Sequence, residues 1–320
     1  MTNPTQKTTG PCIIKAGAGT GKTYQVIEKM KHLIKNDLYK PEEILCLTFS
    51  NEATNELNNR LAEEIKDSSE VTIKTFHSFC ADILKEEGHF VKVDSEFQIL
   101  PPEDAKILFH KYLEVTPYWA NRYVATISTS RDFGISLKEI KEHVKQFAEQ
   151  FEGIEQLDLR ADELDLELKT LHLESSDTKE ERKKTKERKK EISLFLNNYY
   201  AYNRYLEFIA AWEGYEKIKK ERNYLDYSDL NNYVNELFQK IGTEKFAKKY
   251  KYIFVDEFQD TNKLQFELIE YLGKEHRNIT IVGDPNQSIY GFRGAYKQSF
   301  EHFKKTFGVT EKDEFTLDKS

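Results

Sequence analysis

No stretch of this sequence stays apolar for the roughly 18 residues that a membrane helix needs. The opening MTNPTQKTTGPC also lacks the apolar core of a secretory leader. Both absences point to a soluble, cytoplasmic chain. Cysteine is scarce: Cys12, Cys46 and Cys80 are three in 320 residues, an odd number without metal-ligand spacing. That speaks against a disulfide scaffold and a zinc site, and leaves reduced thiols, two of them inside apolar, strand-like runs. An excess of positive charge is missing too. The formal net charge of −7 excludes a globally basic nucleic-acid coat. A local groove stays open, because phosphate binding needs only a few well-placed lysines and arginines. Internal repeats are absent. What is there is a very polar globular chain, 32% charged and 38% hydrophobic, long enough for roughly two domains.

The first part alternates strand and helix signals. PCIIKAG, EILCLTF and VTIKTF are short apolar runs, separated by helix-length segments such as KTYQVIEKMKHLIK and NEATNELNNRLAEEI. Strands joined by helix-length crossovers predict a parallel sheet. From about Pro101 the pattern becomes helix upon helix for over a hundred residues. Within it, DTKEERKKTKERKKEI is nearly all charge and reads as a solvated helical arm. The preceding LESSDT offers a turn and an N-cap, with Glu180 and Glu181 in the first turn. This predicts a projecting helical hairpin that turns near Ser175 to Asp177. Strand signals return with YKYIFVDE and NITIVGD. The expected class is α/β, one parallel-sheet domain interrupted by an all-helical insertion. The expected boundaries are 1–97 and 225–320 for the two sheet segments, and 98–224 for the insertion.

AGAGTGKT, Ala16 to Thr23, lies between a strand and a helix and has the phosphate-loop pattern, with alanine at its first fixed position. Gly17, Gly19 and Gly21, with Ala18 and Thr20 between them, let successive amides point into one concavity that suits a phosphate chain. Lys22 reaches the terminal phosphates, and the Thr23 hydroxyl is placed for Mg²⁺. A phosphate loop needs a further acid, and YIFVDE supplies it at a strand's C-terminal end. Asp256 is the candidate for the metal shell, and Glu257 for orienting or deprotonating the attacking water.

AGAGTGKT, LTFSNEATNELNNRL, TFHSFCADIL, LDYSDL, VDEFQDTNKLQ and VGDPNQSIYGFRGA follow one another in the order and spacing of a known family. The chain resembles the UvrD/Rep/RecB-like superfamily 1 DNA helicases over residues 10–95 and 223–300. The resemblance implies a RecA-like phosphate-loop ATPase domain, with ATP and Mg²⁺ as cofactors. It implies a motor moving along single-stranded DNA or a partial duplex, usually 3′ to 5′, with no membrane partner. The same motor also occurs in helicase–nuclease and defence-system subunits; a non-hydrolysing DNA-binding module is the remaining alternative.

The resemblance further implies that Gln287 senses the γ-phosphate and that Gln6 is the candidate for reading adenine, although Gln6 lies closer to the phosphate loop than its family counterpart. Tyr290 and Phe292, with Arg293 beside them, match aromatics that stack on bases; by periodicity alone they read equally as core residues. Phe49 matches a base-contacting aromatic, with Thr48 and Asn51 beside it. Thr75 and His77 stand where a hydroxyl, an imidazole and a helix N-terminus meet phosphates. The residues alone allow His77 to be a half-buried, hydrogen-bonded histidine instead. Lys15 stands where an apolar or small residue is expected. The closing EFTLDKS reads as a strand leading to the family's next motif. The expectation is therefore an N-terminal half, nearly inactive alone, whose second RecA-like domain lies outside this chain.

Overall fold

The computed structural model describes residues 3–17, 19–65, 68–149, 158–171, 178–287 and 298–317. The chain opens with β1 (Cys12–Ala16), α1 (Lys22–Lys35), β2 (Ile44–Thr48), α2 (Asn51–Glu64), β3 (Thr72–Thr75) and α3 (Phe76–Glu87). It continues through β4 (Gln98–Leu100) and helices α4 (Pro102–Tyr112), α5 (Pro117–Asp132), α6 (Leu137–Glu149), α7 (Asp158–Thr170) and α8 (Lys179–Glu221). It then returns with β5 (Tyr224–Asp226), α9 (Tyr227–Ile241), α10 (Glu244–Lys249), β6 (Tyr252–Val255), α11 (Lys263–Gly273), β7 (Ile279–Gly283), α12 (Ser299–Phe307) and β8 (Glu314–Leu317).

Six strands form one sheet in the order β3-β2-β6-β7-β1-β8, and every neighbouring pair is parallel. The class is α/β, as the alternating signals predicted. Strands β2, β6 and β7 read as unbroken apolar runs because both faces of the sheet are covered there, and the edge strands β3 and β8 are only partly buried. Successive side chains of each strand therefore enter different cores. Ile13, Leu45, Leu47, Ile253, Val255, Ile279 and Ile281 join α3, α9, α11 and α12 through Phe79, Leu230, Leu268 and Phe303. Their strand neighbours Cys12, Ile14, Ile44, Cys46, Tyr252, Phe254 and Val282 join α1 and α2 through Val26, Met30, Leu57 and Leu61. All three cysteines are free and buried. Lys15 is tolerated on β1 because the next strand, β8, brings Glu314 to 2.5 Å from its ammonium.

The chain divides into two compact units. One holds residues 1–105, 128–134 and 221–320; the other holds 106–127 and 135–220. This moves the expected insertion boundaries of 98–224. β4 pairs in parallel with β5, so residues 98–105 stay with the sheet unit. Three-residue strands are too short to show a period, and the sequence pattern missed them. The other displaced stretch, 128–134, is held by polar side chains, which carry no apolar periodicity at all.

In the helical unit, Val144 of α6, Ala161 and Leu164 of α7, and Ile192, Leu196, Tyr199 and Tyr202 of α8 share one apolar core. Helix α8 begins as expected. The Thr178 N–H donates to Glu181 Oε2 (2.7 Å), and the Glu181 N–H donates to Thr178 Oγ1 (3.2 Å). Arg188 of α8 grips Glu167 of α7 with two bonds, 2.7 and 2.9 Å. The expected turn at Ser175 to Asp177 lies outside the described residues. Among the described residues no helix is long and apolar enough to cross a membrane.

Leu45 is fully buried on the α3/α9 side of the sheet. Leu45→Ala should lower the stability of the sheet unit by about 2–5 kcal/mol. The measurement is a lower urea midpoint at unchanged m-value. The exposed Glu63→Ala should move it by less than about 0.5 kcal/mol.

Candidate nucleotide site and nucleic-acid track

Because the sheet is parallel, the loops after β1, β2, β3, β6 and β7 all leave from its carboxyl edge, where open α/β sheets bind ligands. The phosphate loop follows β1, whose last residue, Ala16, is buried. The Thr20 N–H and hydroxyl both donate to the Gly17 carbonyl, at 3.3 and 2.8 Å. Gly19 (φ +74°) and Gly21 (φ +86°) take the left-handed conformation that only glycine adopts without strain. Gly21 is the residue before α1, so the loop amides run into that helix's N-terminus, the natural seat of an anion. Lys22 and the half-buried Thr23 form the first turn of α1. Ala18 lies outside the described residues.

Lys22 Nζ donates to Glu257 Oε2. Gln259 Nε2 donates to the same oxygen at 2.7 Å, and Gln259 Oε1 accepts the Asp284 N–H at 3.0 Å. Gln259 thus ties the Glu257 carboxylate to the loop after β7. The sequence reading passed over it, although it stands inside the DEFQDT stretch. Gly283 makes its position possible: a Cβ there would overlap Gln259 Oε1 and lie 3.1 Å from the Phe258 nitrogen. Glu257 itself has φ +46°, a left-handed conformation that is costly for a side-chain-bearing residue.

Asp256 sits at the end of β6, 5% exposed, with its N–H donating to the Leu47 carbonyl at 3.0 Å. Its Oδ1 is buried and has no hydrogen-bond partner. Burial above all, and then the charge of Glu257, raise its pKa to about 6. A buried carboxylate oxygen without a partner, beside a phosphate loop, fits a hard divalent cation. Among the described residues no group of three or more His, Cys, Asp or Glu could hold a metal ion by itself. Mg²⁺ needs only one or two protein oxygens, completed by phosphate and water.

Gln287 is half-buried, with its N–H on the Asp284 carbonyl at 3.0 Å. Tyr290, Phe292 and Arg293 lie outside the described residues. Gln6 is exposed in a one-turn 3-10 helix, Pro4–Gln6, capped by Asn3.

Of the expected track residues, two hydroxyls are already committed. Thr48 is fully buried, and its Oγ1 bonds Thr54 Oγ1 at 2.6 Å. The Thr75 hydroxyl caps α3 by accepting the Ser78 N–H at 3.1 Å. In the chain without nucleic acid both side chains brace their own loops. Phe49 is half-buried against Phe76, ring centroids 5.4 Å apart, and Asn51 is exposed at the start of α2. His77 stacks on Tyr227 with centroids 4.5 Å apart and planes 21° apart. Burial lowers the His77 pKa to about 4 against the opposing pull of Asp226. At neutral pH it is therefore a neutral imidazole, not a phosphate-binding cation.

The model of the UvrD/REP helicase N-terminal domain matches residues 1–308. The chain belongs to that family. It is 30% identical to a probable DNA helicase II homolog of Mycoplasma pneumoniae over 96% of this chain and 37% of that protein. It is 31% identical to ATP-dependent DNA helicase Rep of Buchnera aphidicola over 93% of this chain and 38% of that protein. It is 28% identical to ATP-dependent DNA helicase PcrA of Staphylococcus aureus over 94% of this chain and 34% of that protein. The chain thus spans little more than a third of the length of these relatives.

A UvrD/REP-type site built this way should make its own acid a burden. Asp256 holds its proton more tightly when folded, near pH 6, than when unfolded, near about pH 4. The folded state is therefore favoured as pH falls from 6 toward 4 and penalised above 6. Asp256→Asn should raise Tm at pH 8 by about 2–4 °C, the equivalent of ~1 kcal/mol in a protein this large. It should also flatten the pH dependence of Tm between 4 and 6. Calorimetry across that range checks both.

Proposed function

We propose that this chain is the ATP-binding part of a motor that couples ATP hydrolysis to movement along single-stranded DNA. The observation that carries the reading is the Lys22–Glu257–Gln259 constellation beside the unpartnered Asp256 oxygen. These groups lie at the carboxyl edge that also ends in Phe49, His77 and Gln287. The relatives named as ATP-dependent DNA helicases support the same reading.

The phosphate-loop amides and the N-terminus of α1 would cradle the phosphate chain, and Thr23 with Asp256 would hold Mg²⁺. The metal, when bound, supplies positive charge against the phosphates. In the nucleotide-free chain Lys22 is held by Glu257. With phosphates present, Lys22 has a competing anion. Its transfer leaves the Glu257 carboxylate held by Gln259 alone, ready to take a proton from an attacking water. Gln259 fixes where that carboxylate points, through its second bond to the loop after β7. That loop continues to Gln287, the proposed sensor of the terminal phosphate. Tyr290 and Phe292 are proposed to stack on bases, with Arg293 next to them in sequence, and Phe49 is a further proposed base contact; each stacked base is worth about 1–3 kcal/mol. The exposed Asn51 would meet the same strand. Gln6 is the proposed adenine contact. The full motor activity, its polarity and the second RecA-like half belong to the same proposal.

Two substitutions separate the roles. Lys22→Ala should weaken binding of a fluorescent ATP analogue at least tenfold. Glu257→Gln should leave that binding unchanged or tighter, because the lysine's competing carboxylate is gone. In a protein that also carries the second RecA-like half, each should lower DNA-stimulated phosphate release at least about 10²-fold, the scale of one lost transition-state group. Loss of nucleotide binding in Glu257→Gln would show that Glu257 serves the metal or the fold instead.

A further inference from the structure

The stretch Ser128 to Gly134 lies between two segments of the helical unit yet belongs to the sheet unit. Its attachment is polar. Arg131 Nη1 donates to Asp229 Oδ1 at 2.5 Å and to both oxygens of Asp226 at 3.3 Å. Asp132 Oδ1 accepts from Asn262 Nδ2 at 3.1 Å and from the Ser228 hydroxyl at 3.5 Å. The Ser128 and Ser228 hydroxyls are 3.4 Å apart. Asp226 and Asp229 are also the capping box of α9, each accepting the other's backbone N–H at 2.9 Å. The residue between the cap and Ser228 is Tyr227, on which His77 lies flat.

Three acids, Asp132, Asp226 and Asp229, therefore crowd around one arginine at the root of the His77–Tyr227 stack. Asp226 precedes Tyr227, and its negative charge favours the protonated imidazole of His77 against the larger effect of burial. Asp132, next to Asp226, has its carboxyl raised to about 7 by burial and then by that neighbour. Arg131 is a cation that the structure sets against Asp226 and Asp229. A carboxylate held by an arginine is turned from other partners and carries less field outward.

We infer that Arg131 is a positioning residue that keeps the Asp226 carboxylate on itself and so leaves His77, stacked on Tyr227, without an anionic partner. The segment 128–134 thereby prepares one side of the proposed DNA track, although no residue of it is called on to touch DNA. The structural part stands on the side chains above. Its consequence for DNA rests on the track reading proposed for His77.

The test follows His77 by NMR of its ring Cε1–H in the chain of residues 1–320, with single-stranded oligo-dT binding read by fluorescence anisotropy. In the wild type the His77 signal should stay at its neutral position from pH 8 down to about 5. Titration near 6.5 there would overturn the proposal without any variant. In Arg131→Gln the pKa of His77 should rise by at least one, a tenfold gain in proton affinity. Oligo-dT binding should then acquire a pH dependence between 5 and 7 that the wild type lacks. Arg131→Lys should restore both, because it keeps a positive charge beside Asp226. An unmoved His77 titration in folded Arg131→Gln, or a lysine variant that behaves like glutamine, would also overturn it. His77→Ala separates the two readings. If it leaves oligo-dT binding unchanged, the track reading fails, while the His77 titration in Arg131→Gln still decides the positioning role.

Discussion

Burial of one parallel sheet on both faces is the constraint on which the sheet unit rests. Alternate residues of β1, β2, β6 and β7 enter opposite cores, so no strand has a polar face to spare. Polar chemistry is then driven off the sheet to the loops at its carboxyl edge. The phosphate loop, the Asp256–Glu257 pair and Gln287 meet there because parallel strands all end on the same side. One polar pair inside the layers is matched. The Tyr252 hydroxyl bonds Thr280 Oγ1 at 2.9 Å.

At that edge the structure accepts local cost. Asp256 is buried with one oxygen unpartnered, and Glu257 has a left-handed backbone. Both features are unfavourable in the free protein and useful with a charged ligand present. The surrounding groups over-determine them. Gln259 bridges Glu257 to Asp284, Gly283 leaves room for Gln259, and the Leu47 carbonyl holds the Asp256 amide.

The proposed nucleic-acid side is arranged differently. Thr48 and Thr75 use their hydroxyls to brace their own loops, and His77 is kept uncharged against Tyr227. Attraction to phosphate there would rest on amides, helix N-termini and neutral donors, and base contact on rings. This agrees with a chain whose net charge is −7 and in which no broad basic face is required.

Much of this was legible before any coordinates. Unbroken apolar runs separated by helix-length segments determined a two-faced parallel sheet. The Gly-Lys-Thr ending and the Asp-Glu after a strand carried the nucleotide chemistry proposed above. The N-cap at Thr178 was also readable, because capping acts within a few residues. These are local signals, and local signals survive in one dimension. Only the tertiary structure decided the rest. Gln259 matters because it reaches 25 residues along the chain to Asp284. Arg131 matters because folding brings it to Asp226 and Asp229, 95 and 98 residues away. The commitment of the Thr48 hydroxyl and the neutrality of His77 follow from burial, which a lone polar residue in a sequence does not announce. Polar contacts between distant segments have no period, so they became visible only once the chain was folded.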